Sequence, residues 1–301
     1  MNRSIRVSER DLRVEGRLIR TARVDGEKYR FLSDPEPIVK GLRAQKTRVD
    51  VLTFMQRLPE TQPKYSYPME WDNFAALPIS TFENWWSKQI GFKARNKAKQ
   101  AEKHGVILRE ISFGEELVKG IWEIYNETPV RQGKRFPHYG MTLDQVRTYA
   151  STFPEDSIFI GAFLEEKMIG FIKLTMDETR TQAGLMHIVS LISERDKAPT
   201  NALVAHAVRA CADRGISYLV YSNFAYGNKQ SDTLSDFKER NAFQRIDIPR
   251  YYVPITPLGW LACRLGYYRR LTDILPEKYI AKLREMRSAW YSRKLESSKA
   301  V

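Results

Sequence analysis

Residues 201–223, NALVAHAVRACADRGISYLVYSN, decide the fold class because they predict a helix followed at once by a buried strand. The apolar residues of the first part recur at the spacing of one helix face; they are Leu203, Val204, Ala207, Val208 and Cys211. Asp213-Arg214-Gly215 ends this helix, and residues 216–221 are rich in side chains that favour strands. The stretch therefore predicts one helix–strand unit of a mixed α/β sheet.

Regular elements are predicted on both sides of this unit. Upstream, apolar runs predict strands at residues 106–111, 157–164, 168–176 and 185–192. A helix face formed by Leu117, Ile121, Ile124 and Tyr125, and a capping box at residues 142–145, predict two helices between the first two of these strands. Downstream, a helix is predicted from Ser231 and a last strand at residues 251–255. The order of elements is β, α, α, β, β, β, α, β, α, β.

The first 80 residues predict a β-rich segment. Asp25-Gly26, flanked by residues 17–23 and 28–32, is a hairpin-turn signal, and residues 48–56 predict a further strand. Four prolines then predict an irregular segment; they are Pro59, Pro63, Pro68 and Pro78.

A basic helix is predicted to join this segment to the mixed α/β region. Ser80 or Thr81 can cap it, Gly91 can kink it, and Gly105 ends it. Its second half contains one acidic residue, Glu102, and five basic residues: Lys93, Arg95, Lys97, Lys99 and Lys103. Since this charge has almost no local neutralisation, it indicates an anionic partner.

Composition restricts the class of protein. The 301 residues are 43% hydrophobic and 28% charged, which excludes a disordered chain. No apolar run reaches the roughly 18 residues of a membrane span, and the N-terminus lacks the apolar core of a secretory signal, so we expect a cytoplasmic protein without a transmembrane segment. Cys211 and Cys263 are predicted to be reduced thiols, and no metal site is expected. The net charge of +13 favours an anionic partner.

The chain resembles the GNAT superfamily of N-acyltransferases from about residue 106 to residue 256. It is similar to the Fem branch of that superfamily in RNKAKQAEKHGVILRE (95–110), in residues 201–223, and in LSDFKERNAF (234–243) followed by RYYVPIT (250–256). The resemblance implies an α/β fold with a mixed, mostly antiparallel central sheet flanked by helices. It also implies four regions: a β-rich segment at 1–80 that could be a partial second GNAT-like unit, a basic linker helix at 81–104, a GNAT domain at 105–256, and C-terminal helices at 257–301.

The resemblance places the carrier of the transferred group at the connection that precedes residue 201. In the family, an Arg or Gln and small residues before a helix present backbone amides to a pyrophosphate. Arg195 fits this pattern, Lys197 adds charge, and Pro199 removes one amide donor. The predicted carrier-binding residues of this connection are Arg195, Lys197, Ala198, Thr200 and Asn201. An ordinary helix start capped by Thr200 is the alternative.

The resemblance further implies that main-chain amides near Ser190 and Leu191 face the carrier. It places the acceptor at residues 126–139, a loop dense in polar and aromatic residues. Glu127 and His138 are predicted to accept a proton there, and His187 is a further catalytic candidate, with a structural role as its alternative. The predicted substrate-binding residues are Asn126, Arg131, Arg135 and Tyr139.

Together these features predict an N-acyltransferase. It would move an acyl or aminoacyl group from acyl-CoA (acetyl-CoA included) or aminoacyl-tRNA to the amine of a small molecule or peptidoglycan precursor. The alternative is a catalytically silent, basic nucleic-acid-binding protein with the same fold. A tRNA partner would use the basic helix. Peripheral membrane contact is a second hypothesis for the C-terminal helices; it would involve Trp260, Leu261, Leu265, Tyr267 and Tyr268, with Arg264, Arg269 and Arg270 at the rim.

Overall fold

The computed structural model describes residues 3–45, 49–131, 133–224 and 233–267, together with Lys282 and Met286. The strands of this part of the chain are β1 (Arg3–Val7), β2 (Arg10–Glu15), β3 (Thr21–Val24), β4 (Val51–Met55), β5 (Met69–Pro78), β6 (Val106–Ile111), β7 (Val130–Arg131), β8 (Lys134–Arg135), β9 (Ser157–Leu164), β10 (Lys167–Met176), β11 (Gln182–Ser190), β12 (Tyr218–Val220) and β13 (Gln244–Pro254). The helices are α1 (Glu36–Ala44), α2 (Phe82–Asn84), α3 (Phe92–Lys103), α4 (Glu115–Tyr125), α5 (Leu143–Ala150), α6 (Pro199–Asp213), α7 (Thr233–Arg240) and α8 (Pro257–Arg264).

Eleven of these strands form one sheet in the order β1-β2-β3-β4-β13-β5-β12-β11-β10-β9-β6. Two neighbouring pairs, β3–β4 and β11–β12, are parallel, and the other pairs are antiparallel. The short strands β7 and β8 pair only with each other among the described strands. The predicted mixed α/β class, with a mostly antiparallel sheet flanked by helices, is confirmed.

Helices cover both faces of the sheet. Phe171 on β10 contacts Tyr125 of α4, whereas the adjacent Gly170 approaches Leu203 of α6, so these two helices lie on opposite faces. On β13, Tyr252 packs near Cys263 of α8. The alternate residues of β13 instead join the core cluster that includes α1. Between α5 and α8 the sheet carries two open cavities that share Glu15 and Arg23.

Local sequence signals explain several helix starts. The predicted capping box is present at α5, where the Thr142 side chain accepts from Gln145 N and the Gln145 side chain accepts from Thr142 N. Thr256 caps α8 in the same manner, since its hydroxyl accepts a hydrogen bond from Gly259 N at 3.1 Å. These caps satisfy amides that a helix cannot pair internally.

The hairpin predicted at Asp25-Gly26 is wrong. β3 pairs with β2 across residues 16–20, and the chain leaves the sheet after β3. Residues 28–32 form no strand because they contact the other half of the molecule: Lys28 Nζ donates to Ser222 Oγ at 2.6 Å, and the Tyr29 ring lies against Gly184. Gly26 adopts a φ of 71° and packs on Phe153. A turn signal of this kind predicts that the chain reverses direction, but not which segment it then contacts.

The elements that were not predicted individually include β1, β2, α1 and β5, and one helix was predicted too long. α1 and β5 lie where the sequence predicted no element, and β5 is a central strand. The helix predicted at 81–103 is interrupted: α2 continues into a π-helical turn at Trp85–Gln89, and α3 starts only at Phe92. The break lets Gly91 N donate to Arg240 O at 2.8 Å, and a Cβ at Gly91 would sit 3.0 Å from that oxygen.

The sheet is continuous across the boundary predicted at residue 80. β5, from the N-terminal side, is hydrogen-bonded between β13 and β12, so the proposed division into regions does not correspond to separate sheets. Of the predicted C-terminal helices, α8 lies within the described residues; apart from Lys282 and Met286, residues 268–301 lie outside them. Among the described helices, none combines the length and apolarity needed to span a membrane. Cys211 and Cys263 are buried free thiols.

Candidate functional site

The candidate site lies where β11 departs from regular pairing. Lys173 on β10 faces His187 on β11, but Leu174 faces Leu185, so Met186 is an extra residue that forms a bulge. On its other side, β11 pairs with β12 only at residues 182–184. Residues 221 and 222 then hydrogen-bond to Ala75 of β5 instead. The sheet therefore opens beside the bulge.

The opening adjoins a cluster of aromatic and imidazole rings. His138, from the loop between α4 and α5, stacks on Tyr125 with ring centroids 4.5 Å apart, and lies 5.9 Å from the ring of His187. Tyr149 of α5 is 5.0 Å from both imidazoles. Tertiary packing thus brings together two predicted catalytic residues that are 49 positions apart in the sequence.

Both imidazoles are held in their neutral form near pH 7. Burial lowers the pKa of His138. Burial, together with the nearby His138 and Lys173, lowers the pKa of His187 to about 4. Within the described residues, His138 Nδ1 is buried without a hydrogen-bond partner. A neutral imidazole with an unpartnered nitrogen can accept a proton from a bound group.

Lys173 was not predicted as a site residue. Its side chain is fully buried, and its ammonium donates to Ala150 O at 2.8 Å, to Thr152 Oγ1 at 2.9 Å and to Thr152 O. Burial lowers the pKa of Lys173 to about 8. The three acceptors fix the C-terminal end of α5, which carries Tyr149. A single lysine in the apolar run of β10 was the available signal, since a buried lysine needs several acceptors.

A cavity of about 380–430 Å³ opens on each side of Glu15 and Arg23, and the larger one reaches the ring cluster. One wall of the larger cavity is formed by Tyr149, Thr152, Phe153, Met186 and His187. The opposite wall is charged but internally paired: Arg13 contacts Asp25 at 2.9 Å, and Arg23 contacts Glu27 at 3.3 Å. The cavity therefore places His187 within reach of a bound molecule; His138 does not line the cavity, but its ring lies 5.9 Å from that of His187.

Glu127 does not fit the predicted role of a base. Its carboxylate accepts hydrogen bonds from Ile192 N at 2.7 Å and Ser193 N at 2.9 Å, and pairs with Arg131 at 3.1 Å. Burial by itself would raise the pKa of Glu127, but the two amides and Arg131 lower it overall. A carboxylate held in this way is a poor proton acceptor at neutral pH. Glu127 instead connects the end of α4 to the segment after β11.

Arg131 and Asn126 also serve the structure of the loop. Arg131 donates to Ser190 O and to Ile124 O, each at 2.7 Å. Asn126 donates to Trp122 O and Met141 O and accepts from Gly140 N at 2.8 Å. These contacts use the side-chain groups through which the two residues were predicted to bind substrate. The other two predicted substrate contacts, Arg135 and Tyr139, are exposed at the loop surface.

The connection between β11 and α6 differs from the predicted carrier site. Leu191 N donates to Ile169 O at 2.8 Å, so this amide does not face a carrier. Lys197 pairs with Glu194 at 2.7 Å and Asp196 at 3.6 Å. The hydrogen bond that Lys197 donates to Glu194 raises the pKa of Lys197, and this local pairing reduces its availability to a phosphate.

The start of α6 is not capped by Thr200. The cap position is Ala198, whose φ is 55°, and its N–H donates to Arg195 O at 3.0 Å. The Thr200 hydroxyl lies 3.0 Å from Ser190 Oγ, and Asn201 N donates to Ala198 O at 3.2 Å. Arg195 is exposed and forms no ion pair with any described residue. Of the predicted carrier residues, Arg195 is the one whose charge remains available.

Comparisons with known proteins give the fold. No family model and no curated protein matches the sequence. Among solved structures, the chain is similar to the C-terminal domain of a putative lysylphosphatidylglycerol synthetase from Agrobacterium fabrum, with 12% identity, 87% and 86% of the two chains covered, and a TM-score of 0.56. It is similar to L-PGS from Bacillus licheniformis at 12% identity, 89% and 90% coverage and a TM-score of 0.55.

A third similar structure is FemX, with 11% identity, 87% of this chain and 90% of that chain covered, and a TM-score of 0.53. Each of these similarities covers more than four-fifths of the chain and therefore extends beyond residues 106–256. The predicted resemblance is confirmed at the level of the fold: the protein has a GNAT-like, Fem-related fold.

Proposed function

We propose that this protein is an N-acyltransferase whose reaction takes place at the β11 bulge. The observation that carries the proposal is a pair of neutral, half-buried imidazoles at this bulge: His187 lines an open cavity, and the ring of His138 lies 5.9 Å from it. An amine attacks a carbonyl only after it has lost a proton, so the site needs a group that is unprotonated at neutral pH. The similar structures support the same class of reaction through their fold.

His138 is the proposed proton acceptor. The amine nitrogen bonds to the carbonyl carbon of the donor, its proton passes to the imidazole of His138, and the bond from that carbon to the carrier breaks. The resulting imidazolium then returns the proton to the leaving group. His187, with a pKa of about 4, stays neutral throughout and forms the adjoining cavity wall.

An aminoacyl ester of tRNA is the donor that the site favours over a coenzyme A thioester. In the segment after β11, the amides of Ile192 and Ser193 already donate hydrogen bonds to Glu127. The amide of Leu191 donates to Ile169 O. Pro199 has no N–H to donate. Few donors therefore remain for a pyrophosphate at this helix start.

The basic helix supports the same donor. The buried side chains of α3 are Ala94, Ala98 and Ala101, which turn the lysines of the helix outward. Lys93, Lys97, Lys99 and Lys103 are all exposed. A surface of this kind can bind the phosphates of a nucleic acid, and the binding should weaken as salt rises because counterions are released on association.

The test of the reaction is transfer of a labelled group to a lysine-containing peptide, from either charged tRNA or acetyl-CoA. Transfer from charged tRNA is expected, and His138→Ala should lower kcat by about 100-fold or more because a general base is lost. His206→Ala, a half-buried histidine on α6, is the matched control and should keep full activity. Transfer from acetyl-CoA alone would reverse the choice of donor. Retention of tRNA without transfer from either donor would instead support the binding-protein alternative.

Filter binding tests the carrier surface separately. Replacing Lys93, Lys97 and Lys99 together by Gln should weaken tRNA retention at low salt and flatten its salt dependence by about one unit of log–log slope for each phosphate contact removed. The control replaces Lys40, Lys119 and Lys167, which are exposed elsewhere, by Gln. Since both triple variants lose the same charge, equal weakening would show that net charge alone, and not α3, holds the tRNA.

A further inference from the structure

An apolar surface without acidic residues is built on α8 and the neighbouring β2–β3 connection. On the outward side of α8 and the turn that follows it, five large side chains are exposed: Leu258, Trp260, Leu261, Leu265 and Tyr267. At the tip of the β2–β3 connection, Leu18 is 84% exposed. We refer to these six side chains as the α8 surface. Most large hydrophobic residues of a globular protein are not displayed together in this way.

The α8 surface is held rigidly on the sheet. Asp50 joins its two parts, because its carboxylate accepts from Arg20 N at 2.9 Å and from the Thr256 hydroxyl at 2.8 Å. Gly259 of α8 rests on the main chain of Asp50 so closely that an added Cβ would lie 1.8 Å from the Asp50 carbonyl oxygen. The inward residues Ala262 and Cys263 are buried. The apolar side chains are therefore displayed by a fixed helix and not by a frayed end.

The two segments that form this surface carry charge of one sign; the neighbouring acidic residues are Asp50, which accepts hydrogen bonds from both segments, and Glu15 and Glu70, which line the adjoining cavity. Residues 16–21 and 256–267 contain three arginines, Arg17, Arg20 and Arg264, and no aspartate or glutamate. The Arg264 guanidinium lies 5.2 Å from the centre of the Trp260 ring, so charge and aromatic surface are side by side. Tryptophan, tyrosine and leucine with arginine at the rim suit the boundary between lipid headgroups and acyl chains.

We propose that the α8 surface docks this protein on an anionic lipid membrane. The exposed side chains enter the headgroup boundary of one leaflet, and the arginines contact anionic headgroups. A protein partner would be expected to bring acidic residues to three arginines on a narrow surface, whereas an anionic leaflet supplies that charge everywhere. The docking does not depend on the reaction at the β11 bulge, since no residue of the α8 surface belongs to the ring cluster.

Vesicle flotation of the full chain tests this proposal. The protein should float with phosphatidylcholine vesicles that contain phosphatidylglycerol and remain behind with vesicles of phosphatidylcholine alone. Replacing Trp260, Leu261 and Leu265 together by Ser should reduce flotation at least tenfold. Replacing Arg17, Arg20 and Arg264 by Gln should reduce it by about fivefold for each arginine near the headgroups, and added salt should act in the same direction.

Trp71→Ser is the matched control. Trp71 is as exposed as Trp260, at 55% against 53%. It lies on the opposite face of the sheet from α8, because the preceding Glu70 bonds to Tyr252 on the α8 side. Trp71→Ser should float like the unchanged protein, and circular dichroism should show that all variants are folded.

Three results would overturn the proposal. The first is a full chain that fails to float with anionic vesicles. The second is equal flotation of the unchanged protein and the triple serine variant. The third is a protein that is dimeric by light scattering and becomes monomeric in the triple serine variant, which would show that a second copy covers the α8 surface.

Discussion

Two buried cations on the same sheet, separated by three strands, have opposite kinds of partners. Arg250, on β13, contacts Glu27 through two hydrogen bonds of 2.9 and 3.2 Å and Asp72 at 3.1 Å. Lys173, on β10, donates to carbonyl and hydroxyl oxygens of Ala150 and Thr152 and lies 5.3 Å from the centre of the Phe159 ring, and no carboxylate of the described residues pairs with it. Carboxylates neutralise the first charge; dipoles alone solvate the second.

The region around Arg250 is therefore held together by permanent charges, whereas side chains in the region around Lys173 can gain or lose a proton. Burial by itself would lower the pKa of Arg250, but Glu27 and Asp72 raise it above its ordinary value. Burial lowers the pKa of Lys173 to about 8 and that of His187 to about 4. Two neutral imidazoles and a lysine of lowered pKa therefore lie at the β11 bulge, where proton transfer is proposed, while permanent charges hold the N-terminal strands together.

The largest expected effect on stability comes from removing the paired cation. Arg250→Met should lower the free energy of unfolding by about 3–5 kcal/mol, because Glu27 and Asp72 would remain buried without their partner. Urea denaturation measures this change. Arg245→Met is the control: Arg245 pairs with Asp247 at 2.8 Å, but both side chains are about half exposed, so its loss should cost under about 1 kcal/mol. Equal losses in the two variants would remove the contrast between the regions.

A smaller effect, with a distinct pH dependence, is expected at Lys173. Lys173→Met should lower the free energy of unfolding by about 1–2 kcal/mol at pH 7. The substitution removes hydrogen bonds, which destabilises the fold, but it also removes a buried charge that no carboxylate compensates, which offsets part of the loss. Relative to this variant, the unchanged protein should become more stable as pH rises from about 8 to about 10.5. Across that range the unfolded chain still holds the lysine proton and the folded chain has lost it.

The control for this titration is Lys167→Met, an exposed lysine at the start of the same strand. Its stability difference from the unchanged protein should be flat over the same pH range. Urea unfolding at several pH values measures both differences. A flat difference for Lys173→Met as well would mean that its ammonium is solvated as in water.

The smallest expected effect is at Glu127, a carboxylate held by amides and one arginine. Glu127→Gln should lower the free energy of unfolding by about 1 kcal/mol at pH 7. Because the folded pKa of Glu127 is lowered, its contribution is present above its ordinary value of 4.5 and is lost as pH falls below it. Unfolding at acidic and neutral pH checks this dependence. Glu166→Gln, in an exposed turn, is the control and should show neither effect. If it lost as much stability as Glu127→Gln, this would contradict the proposed role of Glu127 in connecting α4 to the segment after β11.

The loop at residues 126–139 shows how much of a candidate site can be predicted from sequence. Residues 126–139 were dense in polar groups, and the sequence indicated a functional loop. The structure divides that loop: Asn126, Glu127 and Arg131 hold it in place, whereas His138 reaches the β11 bulge. Composition cannot make this division, because a side chain that anchors a loop and one that faces a ligand have the same chemistry. The catalytic role of His138 and His187 stays a prediction.

The sequence by itself determined the elements whose pattern is local. Helices α4 to α6 and strands β6 and β9 to β11 follow from apolar spacing and from caps such as the box at Thr142, since these signals act within a few residues. The fold class followed from their order. The position of His138 in a functional loop was also visible at this level.

Only the tertiary structure decided the partners of polar residues. β5 was missed because its polar residues and flanking prolines argue against a buried strand, yet Asp72 is satisfied by Arg250 and by Asn223, 178 and 151 residues away. Tyr29 was predicted to lie in a hairpin strand but packs on Gly184 instead. Met186 forms a bulge although the sequence has no glycine at that position. The physical reason is common to all three: burying a polar group or breaking a strand is tolerated only where distant residues supply the missing contacts.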